Sequence, residues 1–126
     1  MMRYTYNRQV EPPAPFIHVS LNCLETGNSL DNLPALVDTA ADRTVIPGGL
    51  VGRLALVPLE EILVAGLGGQ VFSVPTYKVE LTIRTLFPQK VVLIAHDDEP
   101  FILLGRDILN RHRLLLDGPG LALEID

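Results

Sequence analysis

The chain has 126 residues, 48% of them apolar and 20% charged, with a formal net charge of −5. That length fits one domain with a modest core, and the composition excludes a disordered or low-complexity chain. The acidic balance argues against nucleic acid or an anionic membrane as a partner, and no run approaches the ~18 apolar residues of a membrane helix.

The opening segment Met1-Met2-Arg3-Tyr4-Thr5-Tyr6-Asn7-Arg8 lacks the apolar core of a secretory signal. Cys23 is the single cysteine and stands in an alternating strand pattern. It reads as a small buried hydrophobe in a chain from a reducing, cytoplasmic setting. The apolar fraction is more than a small monomer easily hides, so a subunit interface is expected.

Residues 1–15 read as a polar, proline-rich arm ending in Glu11-Pro12-Pro13-Ala14-Pro15, and 16–126 as the folded body. In 17–23 the odd positions Ile17, Val19, Leu21 and Cys23 are apolar and the even ones polar, the period of a half-buried strand. Glu25-Thr26-Gly27-Asn28-Ser29 supplies a turn, and a weak helical turn is possible after Pro47. Residues 76–84 alternate again, with Tyr77, Val79, Leu81 and Ile83 on one face. The denser runs 90–95 and 101–104 suit strands covered on both faces. Residues 106–111 predict a short helix with Ile108 and Leu109 inward. Asp117-Gly118-Pro119-Gly120 predicts a turn between last strands at 114–116 and 121–125. Pro34, Pro47, Pro58, Pro75, Pro88 and Pro100 are expected near strand ends or on edges.

Three segments carry chemistry. In Ala35-Leu36-Val37-Asp38-Thr39-Ala40-Ala41-Asp42 an apolar strand delivers a carboxylate to its end, beside a hydroxyl and two very small side chains. That arrangement leaves room for a substrate to approach the backbone. In Val64-Ala65-Gly66-Leu67-Gly68-Gly69-Gln70 glycines stand at a hairpin tip, where they accept positive φ and stay mobile. The Lys-Ser/Thr pair of a phosphate-binding loop is missing there. In Phe101-Ile102-Leu103-Leu104-Gly105-Arg106-Asp107 an apolar strand runs through Gly-Arg-Asp into the helix, with Asp107 placed to favour its first turn.

In this order and spacing the three segments resemble the retropepsins, the single-domain retroviral-type aspartic proteases, over roughly residues 16–125. The resemblance implies an all-β, closed, barrel-like half-domain with a glycine-rich flap hairpin and one short helix near its end. It implies Asp38 as the catalytic carboxylate, with Thr39, Ala40 and Ala41 supporting the active-site loop. Thr39 would make hydroxyl contacts across a two-fold axis. Asp42 would form a partly buried structural ion pair with Arg106. Substrate would be lined by Asp42, Ala65, Gly66, Leu67, Gly68, Phe101 and Leu103.

Aspartic protease chemistry needs two carboxylates close enough to share a proton. The chain holds no second segment of the Asp38 kind: Asp31-Asn32, Asp97-Asp98 and Asp117-Gly118 all read as turns. The expectation is therefore a homodimer that hydrolyses extended polypeptide, with no metal and no organic cofactor. The Asp- and Glu-rich His96-Asp97-Asp98-Glu99 reads as a solvated loop, not a metal site. The chain departs from the family at Ala40, where glycine is usual, which leaves a second reading open: a catalytically silent dimerisation or peptide-binding module. It also departs in its terminal hairpin, which implies a dimer interface unlike the viral four-stranded sheet.

Overall fold

A computed structural model of the chain describes residues 1–66 and 68–126. Its elements in chain order are β1 (Met2–Thr5), β2 (Phe16–Asn22), β3 (Ser29–Val37), β4 (Val45–Pro47) and α1 (Gly49–Leu54). Then come β5 (Glu61–Ala65), β6 (Val71–Thr82), β7 (Gln89–His96), β8 (Ile102–Leu104), α2 (Arg106–Leu109), β9 (Leu114–Asp117) and β10 (Ala122–Ile125). Among the described residues no helix is long and apolar enough to cross a membrane.

Six strands run in the order β2, β3, β8, β4, β7, β6, and a further pairing of β2 with β6 closes the ring into a barrel. Strand β5 is added outside the ring, antiparallel to β6. Two pairings, β3 with β8 and β4 with β7, are parallel. A second sheet in the order β1, β10, β9 joins the start of the chain to its end. The all-β, closed-barrel expectation holds.

The period-2 pattern explains the interior. Ile17, Val19, Leu21 and Cys23 all point inward, as do Val79, Leu81 and Ile83. Ile46, Leu93, Ile102, Leu104 and Ile108 complete the fully buried centre. Each such aliphatic side chain contributes about 1.5–3 kcal/mol on burial, against about 0–1 kcal/mol for an exposed ion pair. The barrel is therefore held by its apolar filling, and its few surface ion pairs are secondary.

The structure differs from the sequence expectation in several places. Strand β7 is not covered on both faces: Gln89, Val91 and Leu93 are buried while Lys90 and Val92, on the opposite face of the sheet, are exposed. On the apolar face read for 76–84, Val79, Leu81 and Ile83 are buried and Tyr77 is partly buried against the core. Thr76, on the opposite face, is buried as well, its hydroxyl donating to the Glu60 carbonyl (2.7 Å). Pro34 and Pro75 lie within strands. Pro34 immediately precedes the stretch Ala35–Val37 that pairs with β8. Pro75 stands where β6 ends its pairing with β5 and begins pairing with β7. At such junctions a missing N–H costs little. The turn after Pro47 is a full short helix, α1, packing Leu50 and Leu54 inward and ended by Ala55 with φ 53°. The segment read as a polar arm begins with β1, and its Tyr4 is part of the core cluster.

Candidate active site

Strand β3 carries its last residues into the barrel wall. Ala35 and Val37 are buried, and Ala35, Leu36 and Val37 pair in parallel with Ile102, Leu103 and Leu104. One further rung extends this ladder, as the Asp38 amide donates to the Leu104 carbonyl (3.0 Å). The chain then turns sharply, with the Ala41 amide bonded to the Asp38 carbonyl (3.2 Å) and the Ala40 amide to Asp38 Oδ1 (3.1 Å). This is the local turn that an aspartate side chain favours. Asp38 is half-buried while Thr39 and Ala40 are exposed. One carboxylate oxygen is thus anchored by the turn and the group opens toward solvent. Ala40 does not adopt a positive φ, so its methyl meets no backbone strain there.

The loop is clamped from its other side by the start of α2. The Arg106 amide donates to the Ala41 carbonyl (2.9 Å), and its guanidinium donates both to the Thr39 carbonyl (2.7 Å) and to the Asp42 carboxylate. The Asp42–Arg106 pair is present but not buried: the Asp42 side chain is 88% exposed and that of Arg106 43%. Expected to be partly buried and costly to break, the pair is worth about 0–1 kcal/mol in such surroundings. The bond to the Thr39 carbonyl does more to set the loop.

Deeper in, Thr44 is completely buried. Its amide and hydroxyl donate to the two Asp107 carboxylate oxygens (2.9 and 2.7 Å), and its hydroxyl accepts from the Gly105 amide (3.1 Å). Asp107 Oδ1 also accepts the Ile108 amide (2.9 Å), so the expected helix-start role is joined by a second one across the barrel. A Cβ on Gly105 would stand 2.6 Å from the Arg43 carbonyl carbon, so glycine is required for this close approach. Thr44 went unnoticed in the sequence. Its only signal there is a hydroxyl residue opening the apolar run Val45-Ile46.

The remaining candidates divide. Leu103 lies in β8 opposite Leu36 and Val45, half-buried beside the loop. Phe101 is half-buried and meets the Phe16 ring edge-on, with centroids 4.8 Å apart. Ala65 and Gly66 are exposed at the end of β5 and the start of the hairpin tip. Gly68 and Gly69 have φ of 89° and 78°, as the glycine-rich tip predicts, and the Gly66 amide closes on the Gln70 carbonyl (2.9 Å). Leu67, also read as substrate-lining, lies outside the described residues. The structure therefore brings Asp38, Thr39, Ala40, Ala41, Asp42, Leu103 and Arg106 together around one loop. Ala65, Gly66 and Gly68 belong to the separate β5–β6 hairpin.

Comparison with known proteins points the same way. Residues 11–117 match the family described as retroviral aspartyl protease. Among solved structures, the EIAV protease complexed with the inhibitor HBY-793 is 28% identical, with 86% of this chain and 93% of that one covered and a TM-score of 0.54. A retropepsin-like aspartic protease from Rickettsia conorii shares 14% identity over 97% of this chain and 86% of its own, with a TM-score of 0.64. The retroviral protease-like domain of Ddi1 from Leishmania major gives 17% identity, 88% coverage of each chain and a TM-score of 0.51. No curated protein matches the chain. With the family match spanning most of the barrel, both parallel pairings and the loop after β3, the chain belongs to the retroviral aspartyl protease family.

Proposed function

We propose that the chain is an aspartic endopeptidase that works as a homodimer, with Asp38 and the partner subunit's Asp38 sharing one proton. The observation that carries this reading is the presentation of Asp38: a single carboxylate at the end of a buried strand, oriented by the Ala40 amide and open to solvent. One such carboxylate cannot serve as both base and acid in one step. Two of them about 3 Å apart cannot both ionise, so a pair retains one proton. The ionised member takes a proton from the attacking water while the protonated one polarises the scissile carbonyl. The tetrahedral intermediate then collapses as the leaving amine gains a proton.

Thr39 and Ala40, both exposed, would face the two-fold axis in this arrangement. The β5–β6 hairpin would act as the flap, with an extended polypeptide held as an added strand between it and the Asp38 loops. Leu103 and Phe101 would offer apolar contact to its side chains. The buried, unpaired Cys23 suits a reducing, cytoplasmic setting.

The decisive experiment is cleavage of an unfolded protein substrate from about pH 3.5 to 7.5, comparing the unaltered chain with Asp38→Asn at equal concentration. Cleavage that rises more steeply than linearly with protein concentration, and is lost by at least about a thousandfold in the variant, is the expected result. Equal cleavage by both would remove Asp38 from the chemistry. A dimer that cleaves nothing would leave the silent peptide-binding module in its place.

A further inference from the structure

Strand β9 is the outer strand of the β1–β10–β9 sheet, and its far edge pairs with no strand among the described residues. The Asp126 amide donates to the Arg113 carbonyl (3.1 Å), continuing the β9–β10 register. In an antiparallel ladder such bonded positions alternate, so Arg113, Leu115 and Asp117 turn their backbone groups toward β10. The amides and carbonyls of Leu114 and Leu116 point out from the free edge. Natural edges of this kind are usually blunted by charge, proline or a bulge. Here the edge carries consecutive leucines, Leu115 57% exposed and Leu116 47%. Leu116 stands opposite Leu123, which is fully buried, so an apolar face stays open at its last strand.

This edge is complementary to itself. Two copies of β9 laid antiparallel about a two-fold axis at Leu115 bring the outward groups of Leu114 against those of the partner subunit's Leu116, and reciprocally. Every outward amide and carbonyl of the strand then finds a partner, and Leu115 meets its own equivalent. Arg113 falls opposite the partner subunit's Asp117, in a non-hydrogen-bonded position where side chains approach closely. Arg113 and Asp117 are both exposed, and neither makes an ion pair among the described residues. Asp117 Oδ1 accepts the Gly120 amide (3.0 Å), which leaves Oδ2 for a partner. A slip of the register to either side sets the outward leucine groups against Gly118 or His112 and parts Arg113 from its counter-charge.

We propose that the β9 edge is where two copies of the chain join, antiparallel about an axis at Leu115, merging their three-stranded sheets into one. The occupant is a second copy because a foreign strand would take the backbone bonds but has no reason to match Arg113 and Asp117 at once. This inference rests on the homodimer proposed above, though not on its catalysis, and names the surface that holds it. The same segment connects to the Asp38 loop, since α2, whose Arg106 bonds the Thr39 carbonyl, leads directly into β9.

The test is sedimentation equilibrium of the full chain over a range of concentrations, where a monomer–dimer equilibrium is expected. Leu116→Pro removes an amide that bonds nothing within the monomer, so the chain should still fold by circular dichroism while dimerisation weakens at least about a hundredfold. Arg113→Glu and Asp117→Lys should each weaken self-association about tenfold, as attraction on both sides of the axis becomes repulsion. An equimolar mixture of these two charge variants should recover the dimer, because every pair across the axis is again of opposite charge. A dimer indifferent to the variants, or a mixture that fails to recover, would overturn the β9 edge and leave the homodimer standing on another surface. A chain monomeric at every concentration would overturn the homodimer and this edge with it. A dimer that responds at β9 but cleaves nothing would uphold the edge and count against the endopeptidase alone.

Discussion

The loop after β3 and the β5–β6 hairpin both hold candidate site residues, yet they are held in opposite ways. The loop is fastened by atoms more than sixty positions away in sequence: the Leu104 carbonyl, the Arg106 guanidinium and the Asp107 carboxylate. Much of that fastening lies over fully buried side chains, Thr44 and Leu104 among them. The hairpin's strands pair with each other, Ala65 against Val71 and Glu61 against Pro75. Its Leu63 is 73% exposed and its Val71 63%. Few buried contacts and a solvent-exposed ladder are the marks of low local stability. Under the proposed function, Asp38 would need a fixed position, whereas a hairpin that admits a chain and closes over it would need the reverse.

Three substitutions test this contrast, from the largest effect to the smallest. Gly105→Ala places a methyl where the Arg43 backbone stands at 2.6–2.9 Å. The loss should be about 3 kcal/mol or more, read as a fall in the urea midpoint with little change in slope. A variant as stable as the parent would mean that the clamp yields easily and is not rigid. Thr44→Val keeps the shape but removes the hydroxyl, stranding the Gly105 amide and part of the Asp107 carboxylate in a buried place. A cost of about 1–3 kcal/mol is expected by thermal or chemical unfolding, and Thr44→Ser should recover most of it. Leu63→Ser in the hairpin should change unfolding stability by less than about 0.5 kcal/mol. A larger loss would show that the hairpin packs on the barrel after all.

Much of this was legible in the chain. The alternation of Ile17, Val19, Leu21 and Cys23 needed only the geometry of a strand, and all four are buried. The glycines at 68 and 69 announced positive φ, and both adopt it. The order of the Asp-Thr, glycine-rich and Gly-Arg-Asp segments pointed to the family, which the match over residues 11–117 shows. Other features were not legible, because they depend on neighbours from elsewhere in the chain. Val92 is as apolar as Val91, but only Val91 meets the core. Asp42 and Asp107 are both carboxylates near Arg106. One is almost fully exposed, and the other is bonded to a buried threonine. Ala40 stands where the family usually has glycine, and its backbone shows that no left-handed residue is called for there.

Local alternation, turn residues and glycine placement determined the strands, the hairpin tip and the position of Asp38 at a strand end, since each follows from the dihedral and side-chain geometry of a few adjacent residues. Only the tertiary structure decided the ring closure of β2 on β6, the burial of Thr44 and the exposure of the Asp42–Arg106 pair. Each of these rests on contacts between segments far apart in the chain. The stabilisation of such contacts comes from the water they exclude and the partners they meet, which no short stretch of sequence contains.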